Sequence, residues 1–466
     1  MYSFAAAAEC RRYLFPFLRM DIRQIADPSF MPDAAQTRML GLLMHETFEY
    51  FRREWNPGTG LIPDNNQPSG PASIASVGMG LGAYVVAAER KILSRFEAIE
   101  RVLRVLRFLD VSKQGPGADA TGHKGFYYHF LDMQTGRRHG QCELSTIDTA
   151  ILMAGILSAA SYFAGGSDLE REIRRLAYTL YRRVDWQWAL NGGTTLSHGW
   201  KPESGFLPCR WDRGYSEALL LYVLAAGSAT FPIGDQGYKE WTSTFEHRKV
   251  YGTEYIYAGP LFIHQLSHSF IDFRGIRDAL NGKSGFDYFE NSRRATLVHR
   301  QYAIDNPLGF KDYGERAWGL TASDGPGPAV KEIDGVRRQF YGYAARGAPF
   351  GPDDGTLSPW AAAASLPFAP DIVLDAVRHA IERFDLKGHS SYGFDASFNP
   401  TYPEKGRNRH GWISPWIFGL NQGPIILMIE NFRSGLIWRT IRNCAPIVRG
   451  LRVLGFQGGW LHDPSA

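Results

Sequence analysis

The sequence predicts an all-α protein, an (α/α)6 toroid in which inner and outer helices alternate around a ring. Six segments open with a Gly/Pro-rich lead and a capping residue and continue as runs that are apolar on nearly every side, a pattern typical of buried helices. Amphipathic, charged segments lie between these runs. No βαβ rhythm competes with this interpretation, and the spacing is too irregular for a solenoid.

The six apolar segments are expected to form the inner ring. All inner helices of a toroid run in one direction, so their N-terminal ends should meet at one face around a central cavity. A carboxylate that introduces such a helix should face this cavity, because burying it in the packed core without a partner is costly. The predicted inner helices begin near Ser73, Glu143, Ser216, Phe262, Gly355 and Gln422.

The outer helices are predicted from apolar residues spaced three and four apart among polar ones. The interval from Ala226 to Gly259 gives the weakest helix of this set. The clearest segments, in chain order, are AAQTRMLGLLMHETFEYFRREW, SRFEAIERVLRVLRFLD, DLEREIRRLAYTLYRRVDW, DYFENSRRATLVHRQYAI and DIVLDAVRHAIERFD.

Composition excludes several classes of function. The 44% hydrophobic and 21% charged residues are typical of a globular protein, and the net charge of +4 gives no nucleic-acid footprint. No apolar run reaches the ~20 residues that span a bilayer, and the four cysteines form neither a disulfide framework nor a CxxC pair. We expect a monomer without a membrane span. The N-terminus lacks the pattern of a secretory signal, which leaves periplasmic and cytoplasmic locations both open.

Aromatic residues are the most distinctive part of the composition. The chain has 12 Trp, 22 Tyr and 29 Phe, and many of them stand beside Gly, Pro, Asp or Asn. Core packing accounts for most aromatic residues in any protein. Their position in loops nevertheless favours aromatic-lined surfaces of the kind that bind sugars.

Glu217 is the best single candidate for a general acid or base. It introduces the apolar run from Ala218 and follows Trp211 and Asp212. These apolar neighbours, Trp211 and 218–221, are expected to raise its pKa by desolvation. The alternative is a first-turn acid stabilised by the helix dipole, worth ~0.3–1 kcal/mol.

Two further acids are candidates, each with a structural alternative. Glu143 precedes the second apolar run in the same way, and its alternative is again helix capping. Asp148, further along that run, is expected to be a buried hydrogen-bond partner. Asp395 lies in the aromatic loop GFDASFNP, where an acid is also common as a turn former.

A histidine pair, His264 and His268 in HQLSH, lies on one helix face. A zinc protease would need HExxH, but Gln265 occupies the Glu position. We therefore expect His268 to line the cavity, with a core histidine pair as the alternative, and we predict no metal site.

The motifs together resemble those of a known family, and they run in register from Met39 to Trp438. They include GLIPD, ASIASVGMGLGAY, GFYYHFLDMQTGRR, CELSTIDTA, CRWDRGYSEALLLYVLA, GPLFIHQLSHSFIDFRG, WGLTASDGPG, DDGTLSPWAAAASLPFAP, YGFDASFNP and NQGPIILMIENFRSGLIW. This set resembles the glucoamylase-like (glycoamylase) domain of glycoside hydrolase family 144, the bacterial β-1,2-glucanases. It is also similar to the transglycosylating domain of cyclic β-1,2-glucan synthases. We predict a catalytic domain over 31–440, an N-terminal extension over 1–30 and a C-terminal tail over 441–466.

The resemblance implies hydrolysis of β-1,2-linked glucose chains with inversion, by two carboxyl groups and without a cofactor. Glu217 of GYSEA and Asp395 of FDASFN match the essential pair of the family. Glu143 of CELSTID matches an acid near the reacting sugar. Other expected sugar contacts are Trp211 and Tyr215 by stacking, Asp212, Arg210 and Arg346 by hydrogen bonds, and His268 and Asp353 as cavity lining.

Three alternatives remain open at this point. The first is a retaining β-1,2-glucan transglycosylase, and the second is another glucosidase or glucoamylase activity. The third is a non-catalytic glycan-binding scaffold that keeps the toroid. Retention of Glu217, Glu143 and Asp395 together favours an enzyme.

Overall fold

The computed structural model describes residues 30–387, 391–403 and 410–462. The predicted N-terminal extension lies outside these residues except for Phe30, and so do the last four residues of the predicted C-terminal tail.

The described residues are mainly helical. In chain order the α-helices are α1 Ala34–Arg53, α2 Ile74–Glu89, α3 Arg95–Val111, α4 Thr146–Tyr162, α5 Asp168–Arg183, α6 Ala218–Ala226, α7 Gln236–Thr242, α8 Leu266–Phe270, α9 Ala279–Ser284, α10 Tyr288–Asp305, α11 Pro359–Ala364, α12 Pro370–Phe384, α13 Gly419–Ser434, α14 Leu436–Arg442 and α15 Ala445–Val453. Within the described ranges, 3₁₀ turns are found at Trp188–Leu190, Leu261–His264 and Gly459–His462.

Helices α2, α4, α6, α8, α11 and α13 form the inner ring. Every residue of α6 is buried, whereas α5 buries a single stripe and exposes charged residues on its other side. Helix α2 packs between α4 and α13. Gly78 permits the first contact, since a Cβ there would lie 2.5 Å from the Ile151 carbonyl oxygen. A Cβ at Gly423 of α13 would likewise lie 2.3 Å from the Met79 Cβ of α2.

Helices α1, α3, α5, α10 and α12 lie outside this ring, as the amphipathic segments predicted. The predicted (α/α)6 arrangement is therefore confirmed. The weak interval from Ala226 to Gly259 contains α7 and a β-hairpin. Helix α11 is only six residues long, because Pro367 follows it closely and the residue before a proline disfavours helical geometry.

Short antiparallel strands occupy the loops that precede the inner helices. The longest of them has five residues among those described, and none forms a central sheet. They are β1 Ala72–Ser73, β2 Gly122–His123, β3 Phe126–Tyr127, β4 Phe130–Leu131, β5 Leu144–Ser145, β6 Gly199–Lys201, β7 Gly205–Phe206, β8 His247–Val250, β9 Thr253–Ile256, β10 Ala322–Ser323, β11 Ala329–Ile333, β12 Val336–Phe340, β13 Ala344–Ala345, β14 Phe398–Asn399 and β15 Trp412–Ile413.

The last two helices cover the C-terminal ends of the inner ring. Helix α15 packs directly on α6, and a Cβ at Gly450 would lie 1.9 Å from the Val223 carbonyl oxygen. Trp438 of α14 donates its indole N–H to the His268 carbonyl oxygen at the end of α8 (2.6 Å). The loops that precede the inner helices lie on the opposite side of the ring. We call that side the N-terminal face, since the inner helices begin there.

Candidate active site

Hydrogen bonds tie the loops of the N-terminal face to one another. The Gly419 N–H at the start of α13 donates to the Asp64 carbonyl oxygen before α2 (2.9 Å). The Ser267 hydroxyl of α8 donates to the Glu217 carbonyl oxygen before α6 (3.1 Å). Residues far apart in sequence are therefore held side by side where the inner helices begin.

Glu217 is the N-cap residue of α6, but its side chain makes no capping hydrogen bond. Glu217 therefore stands at the helix end where the dipole favours a negative charge, as the first-turn alternative expects. The side chain is half-buried, and burial raises its pKa to about 7, with the negative charge of Asp148 acting in the same direction. A carboxyl group with this pKa is protonated in a large fraction of molecules at neutral pH, as a general acid must be.

Glu143 lies two residues before Ser145, and Ser145 is the N-cap of α4. The capping alternative for Glu143 is therefore wrong. Instead, its carboxylate contacts the His129 ring, with Oε1 3.1 Å from Nδ1. This hydrogen bond lowers the pKa of Glu143 to about 2, so Glu143 is ionised at neutral pH and cannot serve there as the proton donor.

His129 is a residue that the sequence did not single out. Its Nδ1 also lies 3.3 Å from Oδ2 of Asp148, so one ring nitrogen bridges two carboxylates. Burial opposes the positive charge, but the carboxylates of Asp148, Glu143 and Asp64 outweigh it and raise the pKa of His129 to about 9. Asp148 is thus a buried acid that forms an ion pair with His129.

Asp64, the last residue of the GLIPD motif, is a third carboxyl group in this neighbourhood. Its Oδ2 accepts a hydrogen bond from the Asn65 amide (3.1 Å). Burial raises the pKa of Asp64, and the charge of His129 opposes that rise. The motif itself could have drawn attention to Asp64, but nothing in its spacing indicates a histidine partner.

Asp395 lies beside the first turn of α13, on the same face as Glu217. Its main-chain N–H donates to the Leu386 carbonyl oxygen (2.9 Å), and Gln422 of α13 donates to the carbonyl oxygen of Phe394 (3.3 Å). The Asp395 side chain is 2% exposed. The two acids of the predicted pair therefore share one face of the ring.

Asp324 is a further half-buried acid next to the Asp395 loop. The Ser397 hydroxyl of that loop donates to the Asp324 carbonyl oxygen (2.8 Å). The Asp324 carboxylate accepts from the Ser414 hydroxyl and from the Gly325 N–H, both at 2.9 Å. Its motif, WGLTASDGPG, belongs to the family pattern, but its sequence neighbours give no sign of a site role.

Trp211 lines the wall between α4 and α6. Its indole N–H donates to Oγ1 of Thr146 (3.0 Å), and its ring stacks on His198 with centroids 3.9 Å apart. With 9% of its surface exposed, only part of the ring is open to a sugar. Asp212 follows it and is half-buried.

Two neighbouring residues occupy structural positions instead of the predicted sugar-binding ones. Tyr215 is buried and stacks on Tyr288 at 5.7 Å, so its faces are covered by protein. Arg210 donates to the Thr195 hydroxyl (2.9 Å) and to the Leu190 carbonyl oxygen (2.7 Å), which fixes its own loop.

Arg346 is also placed in the interior and not on the sugar-facing surface. Its Nε and Nη2 donate to both carboxylate oxygens of Asp354, at 2.6 and 2.8 Å. Its remaining donors reach main-chain oxygens, including that of Ser323 at 2.9 Å. Because all its donors are used inside the protein, Arg346 holds the strand pair next to Asp324 in place.

Asp353 and His268 likewise have protein partners. Asp353 accepts from the hydroxyls of Tyr302 (3.1 Å) and Tyr313 (2.8 Å), and burial raises its pKa to about 6. His268 is fully buried 3.0 Å from the Ser292 hydroxyl, and burial lowers its pKa to about 3. His268 is thus a neutral core histidine, which was the alternative interpretation of the HQLSH motif.

Among the described residues, no group of three or more His, Cys, Asp or Glu side chains is arranged to hold a metal ion. Within the same residues, no helix is long and apolar enough to cross a membrane.

Comparisons with known proteins identify the family. The family described as "Glycoamylase: Putative glucoamylase" matches residues 209–445. The chain is 27% identical over 451 residues to an exo β-1,2-glucooligosaccharide sophorohydrolase (non-reducing end) from Parabacteroides distasonis. That match covers 89% of this chain but 57% of the relative, so the chain spans little more than half of that protein's length.

Two solved structures extend the likeness over nearly the whole fold. A protein of Bacteroides uniformis, named as a glucoamylase by similarity, superposes with a TM-score of 0.79 at 31% identity, covering 93% of this chain and 100% of its own. An endo-β-1,2-glucanase from Chitinophaga pinensis superposes with a TM-score of 0.78 at 28% identity, covering 92% and 100%. The match to half of the chain and the 31% identity over a complete relative lead to one conclusion: this chain belongs to the glycoamylase family.

Proposed function

We propose that the protein is a glycoside hydrolase that cleaves β-1,2-linked glucan. The observation that carries the proposal is the carboxyl group of Glu217. It begins α6 without capping that helix, has a pKa of about 7 and lies on the same face as Asp395. The names of its relatives, a sophorohydrolase and an endo-β-1,2-glucanase, support this substrate class.

In the proposed reaction Glu217 is the general acid and Asp395 is the general base. Glu217 gives its proton to the glycosidic oxygen as the bond from that oxygen to the anomeric carbon breaks. A water molecule attacks the same carbon from the opposite side and passes its proton to Asp395, which inverts the configuration. The low exposure of Asp395 supports this role, because a base shielded from bulk solvent can hold a single water against the sugar.

Glu143 is proposed as an acceptor for a sugar hydroxyl near the reaction. Because it stays ionised and is oriented by His129, it offers a fixed negative oxygen to a hydroxyl donor. The ring of Trp211 is proposed to contact a pyranose with the part that His198 leaves open.

The test is a reducing-end assay of the wild-type protein on β-1,2-glucan, laminarin, cellulose and soluble starch. We expect new reducing ends from β-1,2-glucan only. Release from starch would instead assign a glucoamylase activity. Retention of β-1,2-glucan on the protein without any release would assign a glycan-binding scaffold.

A further inference from the structure

His129 occupies a central position among the acids of the N-terminal face. It lies between β3 and β4, and its main chain is fixed on both sides. The His129 N–H donates to the Glu143 carbonyl oxygen (2.9 Å), and the His129 carbonyl oxygen accepts from the Ile74 N–H at the start of α2 (3.3 Å). These links fix the main chain of His129 between two inner helices.

The imidazole ring of His129 is held by two carboxylates. Nδ1 faces Glu143 at 3.1 Å and Asp148 at 3.3 Å, and the ring packs on Phe130 at 4.1 Å. The side chains of His129 and Glu143 are 32% and 29% exposed, so both remain at the surface of the N-terminal face. A bridge of this kind needs the imidazole to donate, and two carboxylates around one nitrogen favour the charged ring.

We propose that His129 is a positioning residue of this site: its imidazolium holds Glu143 and Asp148 in place and balances their negative charge beside the acid Glu217. The proposal rests on the proposed function, because Glu217 is the proton donor there.

The charges that face this cluster come from every neighbouring element. Asp64 lies before α2, Glu143 and Asp148 lie before and on α4, and Glu217 begins α6. Lys201 of β6 acts on Glu143, and His198 from the loop before β6 also interacts with Glu143. Asp148 already acts on Glu217 to raise its pKa. Without the charge of His129, the uncompensated carboxylates would hold the proton on Glu217 more tightly.

This balance matters for turnover because an acid that holds its proton too tightly is a poor donor. A general acid works best when its pKa lies near the operating pH. His129 therefore acts through Glu217 without touching the reacting atoms, and through Glu143 by fixing the direction of its carboxylate.

The experiment compares the pH dependence of kcat/KM on β-1,2-glucan for the wild type and His129→Asn. Asparagine keeps a donor near the Nδ1 position but removes the charge. We expect the alkaline limb of the profile, which reports loss of the Glu217 proton, to move up by about one pH unit. Asp148→Asn should move it in the opposite direction. The matched control is His139→Asn, an exposed histidine further along the same segment, which should leave the limb in place.

A loss of activity at every pH with an unmoved limb would mean that His129 is merely structural and would overturn the proposal. A readout that needs neither a variant nor activity is ¹⁵N NMR of the wild-type imidazole, which should show His129 protonated at about pH 8. A neutral His129 at that pH would also overturn it. If the wild type fails to release sugar while His129 is protonated, the proposed function is wrong, but the ion pairs of His129 with Glu143 and Asp148 are supported.

Discussion

Two glutamates on one face of the ring differ in protonation because their neighbours differ. Burial raises the pKa of Glu217 to about 7, whereas the hydrogen bond from His129 lowers that of Glu143 to about 2. At neutral pH Glu217 is therefore protonated in a large fraction of molecules, whereas Glu143 is ionised. Opposed pKa shifts of this kind suit Glu217 to the proposed role of proton donor and Glu143 to that of an ionised acceptor for a sugar hydroxyl.

Replacement tests the role of Glu217 most simply. Glu217→Gln removes the proton donor, so kcat should fall by roughly 10²–10⁴-fold, the usual contribution of general acid catalysis. The folded protein should melt at a temperature no lower than the wild type above about pH 7, because burial disfavours the charged wild-type group there. Steady-state kinetics and thermal melts measure both quantities. Glu100→Gln, an exposed glutamate on α3, is the control, and equal activity of the two variants would contradict the assignment.

Arg346 and Asp354 form a fully buried pair, so their loss should affect folding before binding. We expect Arg346→Ala to lower the free energy of unfolding by roughly 3–5 kcal/mol, because Asp354 is left buried without its partner. Urea unfolding measures this change. Lys113→Ala, which breaks an exposed pair with Asp119, should leave the free energy of unfolding nearly unchanged. If Arg346→Ala raises KM and leaves the free energy of unfolding unchanged, Arg346 binds the sugar and this prediction is wrong.

Local sequence predicted some of these residues and missed others for a physical reason. The apolar run after Glu217 directly predicts that the Glu217 carboxyl group is desolvated. His129 gives no such signal, because its partner Glu143 lies 14 residues away and only the fold brings them together. Three predicted sugar contacts are used inside the protein, and the sequence does not reveal their partners. Tyr215 is covered by Tyr288, Arg346 is paired with Asp354, and His268 contacts Ser292.

At the scale of elements, the inner helices approach closely through small residues. A side chain at Gly78 would meet the backbone of α4, with a Cβ only 2.5 Å from the Ile151 carbonyl oxygen. The outer helix α1 offers a contrast, since a Cβ at Gly41 would meet nothing within 4 Å.

This contrast gives a paired prediction. Gly78→Ala should lower the free energy of unfolding by roughly 1–3 kcal/mol through overpacking, although alanine is the better helix former. Gly41→Ala should raise it by about 0.4–1 kcal/mol, because only the unfolded chain loses freedom. Urea unfolding of both variants measures the difference, and a stabilising effect at both sites would mean that α2 and α4 are not in this close contact.

The sequence predicted the ring at this scale because capping residues and apolar runs are local features. Ser73 and Ser145 cap α2 and α4 as such a pattern requires. The predicted helix at HQLSH shrinks to a 3₁₀ turn and the five residues of α8. The cover formed by α14 and α15 depends on contacts with α6 and α8 that are distant in sequence.

For the whole molecule, the ion pairs of His129 with Glu143 and Asp148 predict how the free energy of unfolding depends on pH. The pKa of His129 is raised from its usual 6.5 to about 9 in the folded protein. Its contribution is therefore fully present below about pH 6.5 and is lost as the pH rises through about 9. Urea unfolding between pH 6 and 10 should show this decline in the wild type and a smaller one in His129→Asn. Identical pH dependence of the two proteins would contradict the bridge.

The fold places the acids of the loops before α2, α4, α6, α11 and α13 on one side of the ring and covers the other side with α14 and α15. In the proposed reaction the sugar therefore binds at the N-terminal face, where Glu217 and Asp395 both lie. Inversion requires that the two act from opposite sides of the sugar, and a typical separation of ~6.5–9.5 Å leaves room for the water.

The most direct test of this account is ¹H NMR of the first sugar released from β-1,2-glucan by the wild-type protein. Glu217 as acid and Asp395 as base predict an α-anomer, which equilibrates with the β-anomer only later. A β-anomer formed first would contradict inversion and would point to Glu143, the ionised carboxylate, as a nucleophile in a retaining reaction.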